Sequence, residues 1–517
     1  MALIYNATFD SQTRVLSLLD KAGNVISSCE VPSKSNELTL TATAYNSSVK
    51  LTRTGKVRNT YEVNKGSGWG SYTFDTVINL NKGQSCKWRC TSHPTSFGSK
   101  DYVQFVMTGS IEASGEVYSM LSSNLSDVTT LNGYDYAFAN LFRDCTSLTQ
   151  APQLPATTLA YRCYYGMFWG CTSLTQAPQL PATTLASYCY GHMFYNCALT
   201  QAPALPATTL APYCYEYMFF NCAFTQAPAL PATTLASYCY EHMFWGCNSL
   251  TQAPQLPATT LASYCYSNMF NSCSSLTQAP ALPATTLASN CYGCMFGFCT
   301  SLTSAPELPA TTLASSCYGY MFKDCTSLTQ APQLPATTLE VGCYGHMFDG
   351  CTSLTQAPAL PATTLASECY SNMFSSCKSL KQAPALPATT LDTNCYGYMF
   401  WGCTSLTSAP ELPATTLASS CYKYMFRECT SLTQAPQLPA TTLKNGCYYR
   451  MFSYCSKLKE IRVSATTTAT DALYEWLYGV PSTGDFYCDP NATIFPSGKS
   501  GIPSGWVRHA LADYPQT

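Results

Sequence analysis

Hydrophobic and polar positions follow one another in a fixed order through most of the chain, from Cys145 to Cys455. A typical unit begins at Cys171 and reads C-T-S-L-T-Q-A-P-Q-L-P-A-T-T-L-A-S-Y-C-Y-G-H-M-F-Y-N. The cysteine that opens each unit occurs thirteen times, and ten of the twelve intervals are 26 residues long. A fixed period of this length indicates a solenoid, because one such unit cannot bury its apolar face without a neighbour.

The apolar positions are the ones that stay the same from unit to unit. Stacked units would therefore carry continuous rows of the same side chain down the stack. The pattern predicts a strand at Leu174–Leu180 and a short helical turn at Cys189–Cys197. Pro178 and Pro181 remove backbone donors from this strand, so we expect it to be very short or bulged. In the unit from Cys171 the invariant apolar residues are Leu174, Ala177, Leu180, Leu185, Cys189, Tyr190, Met193 and Phe194.

The run L-P-A-T-T-L-A-S-Y-C-Y-G-H-M-F-Y-N-C resembles the BspA-like (Treponema-type) leucine-rich repeat. Units of that family carry an aliphatic-Pro step, then an Ala-Phe pair with a cysteine three residues after the Phe. Leu180-Pro181, Met193-Phe194 and Cys197 match these positions. The resemblance covers about three-fifths of the chain. It implies a leucine-rich-repeat solenoid used for surface adhesion, and it does not imply an enzyme.

Ahead of the repeats, short runs of alternating apolar and polar residues predict β-strands. Residues 1–38 contain two such runs around a turn at Asp20-Lys21-Ala22-Gly23, which form either a small docking element or an extra hairpin of the next domain. Residues 39–132 predict a β-sandwich-like domain, whose layout resembles the β module that precedes such repeats in gut-bacterial and phage proteins. The expected strands are Leu38–Ala44, Ser48–Thr52, Tyr72–Phe74, Thr76–Leu80 and Tyr102–Val106.

Both ends of the repeat array depart from the typical unit, as capping units do. Ala137-Phe138 and Leu141-Phe142 stand where later units have Cys-Tyr and Met-Phe, so residues 133–455 predict a solenoid of about 12–13 coils. Residues 456–517 predict a C-terminal cap with a helix at Asp471–Tyr478. The predicted fold class is thus α+β: a leucine-rich-repeat solenoid, preceded by the sandwich-like domain and closed by the cap.

Charge and hydropathy exclude several classes of partner. The 517 residues have a net charge of −2, so we expect neither nucleic acid nor an acidic membrane surface as a partner. No run of eighteen apolar residues exists, so we expect no membrane insertion. Met1–Thr8 has neither the basic nor the apolar region of a secretion signal, which favours a protein that is not exported by that route.

Twenty-five of the thirty cysteines belong to the repeat, thirteen as opening residues and twelve in the Cys-Tyr pair. We expect them to be reduced core residues, because a solenoid of this size does not need disulfides for stability. Coils spaced roughly 4.8 Å apart would also bring neighbouring thiols into bonding range, so disulfides are the alternative. The C-x7-C spacing does not match a four-ligand zinc site. Cys294 stands in a variable slot, and we expect it to react in the native state.

No Gly-rich phosphate loop, nucleophile elbow, H-E-x-x-H motif or cluster of paired carboxylates appears in the sequence. We therefore expect no catalytic residue, no cofactor and no metal. His192, His242 and His346 share one slot of the unit but are two and four units apart. At roughly 4.8 Å per coil they could not share an ion, so we interpret them as exposed polar residues.

Variation between units is concentrated on either side of the Cys-Tyr and Met-Phe pairs. The slot after the Phe is aromatic in four successive units, which predicts an apolar stripe whose flat ring faces could bind sugar rings. The alternative is that these rings only cover one another. The predicted ligand-binding residues are Trp169, Tyr195, Phe220, Trp245 and Trp401 in this slot, with Arg162, His192, Tyr217 and His242 nearby.

The repeat array contains only ten acidic and eight basic residues among 311. Such a surface suits a neutral polyhydroxylated ligand, so host cell-surface polysaccharide is the expected partner and a protein receptor is a second option. We expect a protein of the virion surface, a phage fibre, tail or capsid decoration, that adheres to the host and contacts other virion proteins through its N-terminal region. Homo-oligomerisation is left open. The alternatives are a bacterial cell-surface adhesin and a purely structural spacer.

Overall fold

The computed structural model describes residues 6–10, 15–19, 25–30, 37–92, 101–121 and 129–514. These residues contain two 3₁₀ helices, Val117–Met120 and Leu511–Asp513, and no α-helix. The strands are β1 (Asn6–Asp10), β2 (Val15–Leu19), β3 (Val25–Glu30), β4 (Leu38–Ala42), β5 (Ser47–Arg53), β6 (Tyr61–Asn64), β7 (Trp69–Tyr72), β8 (Ile78–Leu80), β9 (Ser85–Cys90), β10 (Val103–Thr108), β11 (Ile111–Ser114), β12 (Leu148–Gln150), β13 (Gln434–Leu438), β14 (Glu460–Val463), β15 (Gly484–Cys488) and β16 (Trp506–Ala510).

The N-terminal part of the chain forms antiparallel sheets. Strands β1, β2 and β3 form one sheet in that order, in which β2 and β3 pair as the predicted hairpin requires. The next residues form a sheet β10-β5-β8 and a second sheet β11-β4-β9-β6-β7. Strands β6, β9 and β11 were not among those predicted, although β9 alternates clearly and buries Cys86, Trp88 and Cys90 on one face. That the two sheets form a sandwich stays a prediction.

The N-terminal sheets join the solenoid by continuing its rows of side chains. Phe105 on β10 stacks on Phe142 with ring centroids 5.3 Å apart, and Phe142 stacks on Phe168 at 5.6 Å. The Cys145 thiol donates a hydrogen bond to the carbonyl of Phe105, and β11 pairs in parallel with β12. The degenerate first coil is therefore covered on its N-terminal side.

Each coil contains a run of β-turns where the sequence predicted a helix. A residue with positive φ recurs at every fourth position of this run, at Tyr188, His192 and Asn196 in one coil. A right-handed helix cannot contain such residues. The predicted helical turn at Cys189–Cys197 is therefore wrong, and so is the α component of the predicted class for the described residues. The predicted capping helix at Asp471–Tyr478 is a run of the same turns.

The turns hold neighbouring coils together through backbone hydrogen bonds. Alternate N–H groups donate within the coil to the carbonyl three residues earlier, as Met193 donates to Tyr190. The N–H groups between them donate to the next coil, as Phe194 donates to Met218 at 2.9 Å. Every second donor of a run thus needs the next coil, which is one physical reason that a single unit cannot fold alone.

The opposite side of each coil carries single β-bridges in place of the strand predicted at Leu174–Leu180. Gln176 pairs in parallel with Gln201, and the equivalent residue forms a bridge in most other coils. Pro178 and its equivalent in the next coil, Pro203, offer no N–H to continue the ladder. β13 continues past the equivalent Pro436 only with a register shift, against β14, which contains no proline. Longer strands occur at the two ends of the solenoid, where β12 and β13–β16 lie.

The core of the solenoid consists of rows of identical side chains. The Leu, Tyr, Met and Phe rows are buried in coil after coil, and so are both rows of repeat cysteines. Successive Phe rings lie nearly parallel, as Phe270, Phe296 and Phe322 do with centroids 5.7 Å apart. Because every coil meets the same neighbour, the same side chain packs equally well at each level.

The repeating pattern continues past Cys455. Strands β13, β14, β15 and β16 form a parallel sheet in that order. Trp476 stacks on Tyr448 at 6.2 Å and on Phe495 at 6.1 Å. By backbone register Trp476 follows Phe452, and Ala472 follows Tyr448. The Trp476 ring nevertheless extends the tyrosine row, and Phe495 covers it.

Candidate functional site

One long face of the solenoid, which we call the turn face, is formed by the outward positions of the turns. In every coil it includes three left-handed positions, four residues apart. The side chains at these positions differ between units, whereas the inward positions carry the invariant Cys, Tyr, Met and Phe. The variable chemistry of the chain is therefore concentrated on one face.

Several left-handed positions carry bulky side chains. His192, Tyr217 and His242 occupy the central position in three successive coils, with φ of 56°, 52° and 56°. A non-glycine residue in this conformation costs roughly 1–2 kcal/mol. Glycine would adopt it without strain, so the reason for these residues lies in what their side chains contact.

The predicted aromatic stripe is contiguous in the structure. Tyr195 lies 4.5 Å from Trp169 and 4.2 Å from Phe220 between ring centroids. Phe220 lies 5.6 Å from Trp245, edge to face. All four rings are half-buried. Tyr195 and Phe220 stack face to face, so each covers one face of the other, whereas Phe220 and Trp245 do not stack. That each ring offers a flat face to a sugar ring stays a prediction.

His192, Tyr217 and His242, at the central left-handed position of their coils, form a row that packs beside the aromatic stripe. Tyr217 lies between His192 and His242, with ring-centroid distances of 4.8 Å and 4.2 Å. His192 also stacks on Trp169 at 5.1 Å, and His242 on Trp245 at 4.9 Å. Seven of the nine predicted site residues thus form one surface. We call it the aromatic array, and its members are Trp169, His192, Tyr195, Tyr217, Phe220, His242 and Trp245.

Arg162 lies at the start of a further row on the turn face, a row of tyrosines that was not predicted from the sequence. Tyr188, Tyr213, Tyr238 and Tyr264 stack at the first left-handed position with centroids 4.4, 4.5 and 4.6 Å apart. The guanidinium of Arg162 lies 4.3 Å from the ring centre of Tyr188. The signal was visible in the sequence, because the residue before the Cys-Tyr pair is tyrosine in these four successive units.

Trp401, the remaining predicted residue, lies six units from Trp245 and outside the aromatic array. Its ring packs edge-on against Tyr398 at 6.0 Å, and Arg427 lies 5.7 Å from its ring centre. Tyr398 in turn stacks on Tyr424 at 4.5 Å. Trp401 therefore belongs to a separate, smaller aromatic cluster on the turn face.

Two carboxyl groups in adjacent coils lie beside the array. Burial raises the pKa of Glu216 to about 7, and burial together with the charge of Glu216 raises the pKa of Glu241 to about 7. Burial also lowers the pKa of His192 and His242 to about 4. Both imidazoles are thus uncharged at neutral pH, so the 3.9 Å contact between His192 and Glu216 is not an ion pair there.

The arrangement suits binding better than bond-making or metal ligation. Tyr217 separates His192 from His242, and His346 stacks on Tyr320 in a distant coil. Within the ranges that the structure describes, no group of three or more His, Cys, Asp or Glu is placed to hold a metal ion. Ring edges carry partial positive charge, and phenol hydroxyls both donate and accept, so the array can hold oxygen-rich ligands.

Comparisons with known proteins agree with the repeat architecture. In the described part of the chain, no helix has the length and apolar character needed to cross a bilayer. A comparison with curated proteins gave no match. A family model described as a BspA type leucine rich repeat region, which contains six copies of the repeat, matches residues 106–224, 187–328, 288–407 and 393–475. These overlapping matches span well over half of the chain and include the whole aromatic array. The chain therefore belongs to the BspA-type leucine-rich repeat family.

Proposed function

We propose that this chain is a non-enzymatic protein of a virion surface, a fibre, tail or capsid decoration, that adheres to polysaccharide or a receptor on the host cell through the aromatic array. The array itself is the observation that carries the proposal. Seven half-buried rings from four successive coils pack together on one face. A contiguous aromatic surface of this kind is typical of binding sites.

The chemistry of the array favours an uncharged, oxygen-rich ligand. Ring edges attract oxygen atoms, and tyrosine hydroxyls exchange hydrogen bonds with sugar hydroxyls. From Cys145 to Cys455 there are only ten acidic and eight basic residues, so steering by opposite charge contributes little. A neutral polysaccharide therefore fits this surface better than a charged one.

The thiols favour a virion protein over an exported adhesin. From Cys86 onward the cysteines are free, and every one of them except Cys294 is buried. A chain with this many thiols folds most simply where thiols stay reduced, as they do in the cytosol. A virion protein folds there before release, whereas an exported adhesin passes through an oxidising compartment.

The proposal is tested by the adhesion of the purified chain to host cells. The Trp169→Ala, Trp245→Ala double variant should lose adhesion while its circular dichroism spectrum stays that of the wild type. Phe298→Ala removes an exposed ring of the turn face outside the array, and this matched control should adhere normally.

Two outcomes contradict the proposal. Unchanged adhesion of the folded double variant would favour the structural spacer. Adhesion that collapses at moderate salt, where screening acts within roughly 8–10 Å, would place the contact at a charged site elsewhere.

A further inference from the structure

A groove opens on the turn face beside the aromatic array, over the coils between Glu241 and Ser371. Its volume is about 360 Å³, which lies in the range of roughly 300–1,000 Å³ that small-ligand sites occupy. None of the nine residues predicted from the sequence lines it. The groove is therefore distinct from the array, although both lie on the same face.

Along the groove, the position after the invariant tyrosine carries only serine or glycine in five successive coils. Gly319 has no backbone need for glycine: its φ is not left-handed, and an added Cβ would lie no closer than 3.4 Å to a neighbouring atom. Its missing side chain therefore creates space. The position holds Gly191 and Glu216 before the groove, Glu241, Ser267, Gly293, Gly319, Gly345 and Ser371 along it, and Gly397, Lys423 and Tyr449 beyond it.

Two tyrosine rings line this space. Tyr264 ends its row: Tyr238 stacks on it at 4.6 Å, and the next coil has Asn290 at the equivalent position. Tyr320 stacks on His346 at 4.2 Å, and the coil before it has Cys294 at the equivalent position. The ammonium of Lys323 lies 5.6 Å from the ring centre of Tyr320. Tyr264, Tyr320 and Cys294 all line the groove, so each tyrosine has an adjacent coil that places no aromatic ring against it.

The charge of the lining selects the ligand. The lining residues include the carboxylates Glu241 and Glu368 and neither lysine nor arginine. Asn268, Asn290 and Ser316 add amide and hydroxyl groups. Lys323, which lies near the Tyr320 ring, is already paired with Asp349 at 3.6 Å. An anionic ligand would therefore meet Glu368 and the partly ionised Glu241 without an unpaired cation, whereas an uncharged or amine-bearing ligand would not be repelled.

We propose that this groove binds a short neutral or amine-bearing saccharide, with one sugar ring between Tyr264 and Tyr320. The C–H groups on the face of a sugar ring pack against the negative face of an aromatic ring. The amide and hydroxyl side chains of the lining exchange hydrogen bonds with the sugar hydroxyls. The inference rests on the proposed adhesive function and locates its saccharide specificity in the groove.

Cys294 provides a native reporter for the first experiment. It is half-buried in the groove lining, whereas the other cysteines from Cys86 onward are buried. The rate of its alkylation in the folded full chain would be measured at mildly alkaline pH, because burial raises the pKa of this thiol. Chitotriose and maltotriose are the probes, and sialyllactose is the anionic control.

Binding of a neutral trisaccharide should slow alkylation about tenfold when its free concentration is roughly ten times its Kd. Sialyllactose should leave the rate unchanged. An unchanged rate with both neutral trisaccharides, at concentrations up to the millimolar range of weak sites, overturns the proposal. Equal protection by sialyllactose overturns the assigned ligand class.

The second experiment fills the groove. Gly319→Tyr places a ring on its floor, and Lys423→Tyr places the same ring at the equivalent position outside the groove. Calorimetric titration with the protecting trisaccharide should show at least about tenfold weaker binding for Gly319→Tyr, which is about 1.4 kcal/mol, and wild-type binding for Lys423→Tyr. Tyr264→Ala, which removes a wall, should weaken binding in the same way and serves if Gly319→Tyr does not fold. Wild-type affinity in a folded groove variant contradicts the proposal.

Failure of the groove and failure of the adhesive function give different results. If the wild type adheres to host cells but Gly319→Tyr adheres equally and no trisaccharide protects Cys294, the groove assignment alone fails. If a trisaccharide binds but the chain does not adhere to cells, the groove assignment stands and the adhesive function fails.

Discussion

The thiol of Cys351 donates a hydrogen bond to the backbone carbonyl of Phe322 in the adjacent coil, at 3.1 Å. The same carbonyl accepts the N–H of Cys325 within its own coil. Equivalent thiol bonds recur along the solenoid, as from Cys325 to Phe296. Cysteine suits this position because it is small, largely apolar and still a donor. The thiols thus link one coil to the next.

Alkylation should distinguish Cys294 from the twenty-five repeat cysteines that form the buried rows. In the native chain, we expect Cys294 to react and the buried thiols of these rows to be protected. After unfolding without reductant, all twenty-five repeat cysteines should become alkylated, because they are reduced. Mass spectrometry of the digested protein measures both states. Recovery of most of the twenty-five as disulfides would overturn the reduced core and indicate an oxidising compartment.

Phe322→Ala should destabilise the solenoid by roughly 3–5 kcal/mol, because it opens a cavity in a fully buried row. Phe322 stacks between Phe296 and Phe348, both 5.7 Å away between ring centroids. Urea unfolding of the wild type and variant measures the difference. The exposed Phe298 gives the matched control, and Phe298→Ala should stay within about 0.5 kcal/mol of the wild type. A loss well under about 1 kcal/mol for Phe322→Ala would contradict a buried row.

The double variant Trp169→Ala, Trp245→Ala should lose less stability than Phe322→Ala. Both tryptophans are half-buried, and neither belongs to the Leu, Cys or Phe rows. Removing Trp169 does break its contact with Arg143, whose guanidinium lies 4.4 Å from the ring centre. Thermal unfolding should therefore show a modest decrease in melting temperature. A decrease as large as that of Phe322→Ala would mean that these rings serve mainly to pack the solenoid.

Glu216 should make stability depend on pH with a defined sign. Burial raises the pKa of Glu216 from 4.5 to about 7, so between these values the folded chain holds a proton that the unfolded chain has released. Its contribution to the free energy of unfolding therefore falls as pH rises through this window. Glu216→Gln should match the wild type near pH 4.5 and exceed its stability by on the order of 1–2 kcal/mol above pH 7.

Urea unfolding at a series of pH values measures this difference. The histidines act in the opposite sense: with the pKa of His192 lowered to about 4, its contribution rises with pH up to its unfolded value of 6.5. The comparison must therefore be made between variants and not on the wild type alone. Glu411→Gln, at an exposed position of another coil, is the control. A constant difference between Glu216→Gln and wild type at all pH values would contradict the buried, protonated carboxyl.

Much of the core followed from the sequence, but the backbone path through it did not. The invariant Leu, Cys, Met and Phe positions identified the buried rows, because each coil repeats the same packing environment. The segment Cys189–Cys197 has the spacing of a short helix. Its turns form because N–H groups such as that of Phe194 find their acceptors in the next coil, and local sequence does not contain that information.

The candidate site divides in the same way. The sequence placed Trp169, Tyr195, Phe220 and Trp245 in one slot, and the structure brings them together as a stripe. The sequence could not show that the rings of Tyr195 and Phe220 stack on each other, with centroids 4.2 Å apart. The groove at Gly319 was also missed, because a glycine in a variable slot appears in sequence only as variation.

The period, the identity of the buried rows and the family were determined by the sequence alone, since each depends on residue type at a repeating position. Which of the outward rings stack on one another was decided by the tertiary structure. Rings such as Tyr188 and Tyr213 stack 4.4 Å apart only because successive coils set that spacing. The tyrosine row ends at Tyr264 because the next coil, 26 residues along the chain, has Asn290 at the equivalent position.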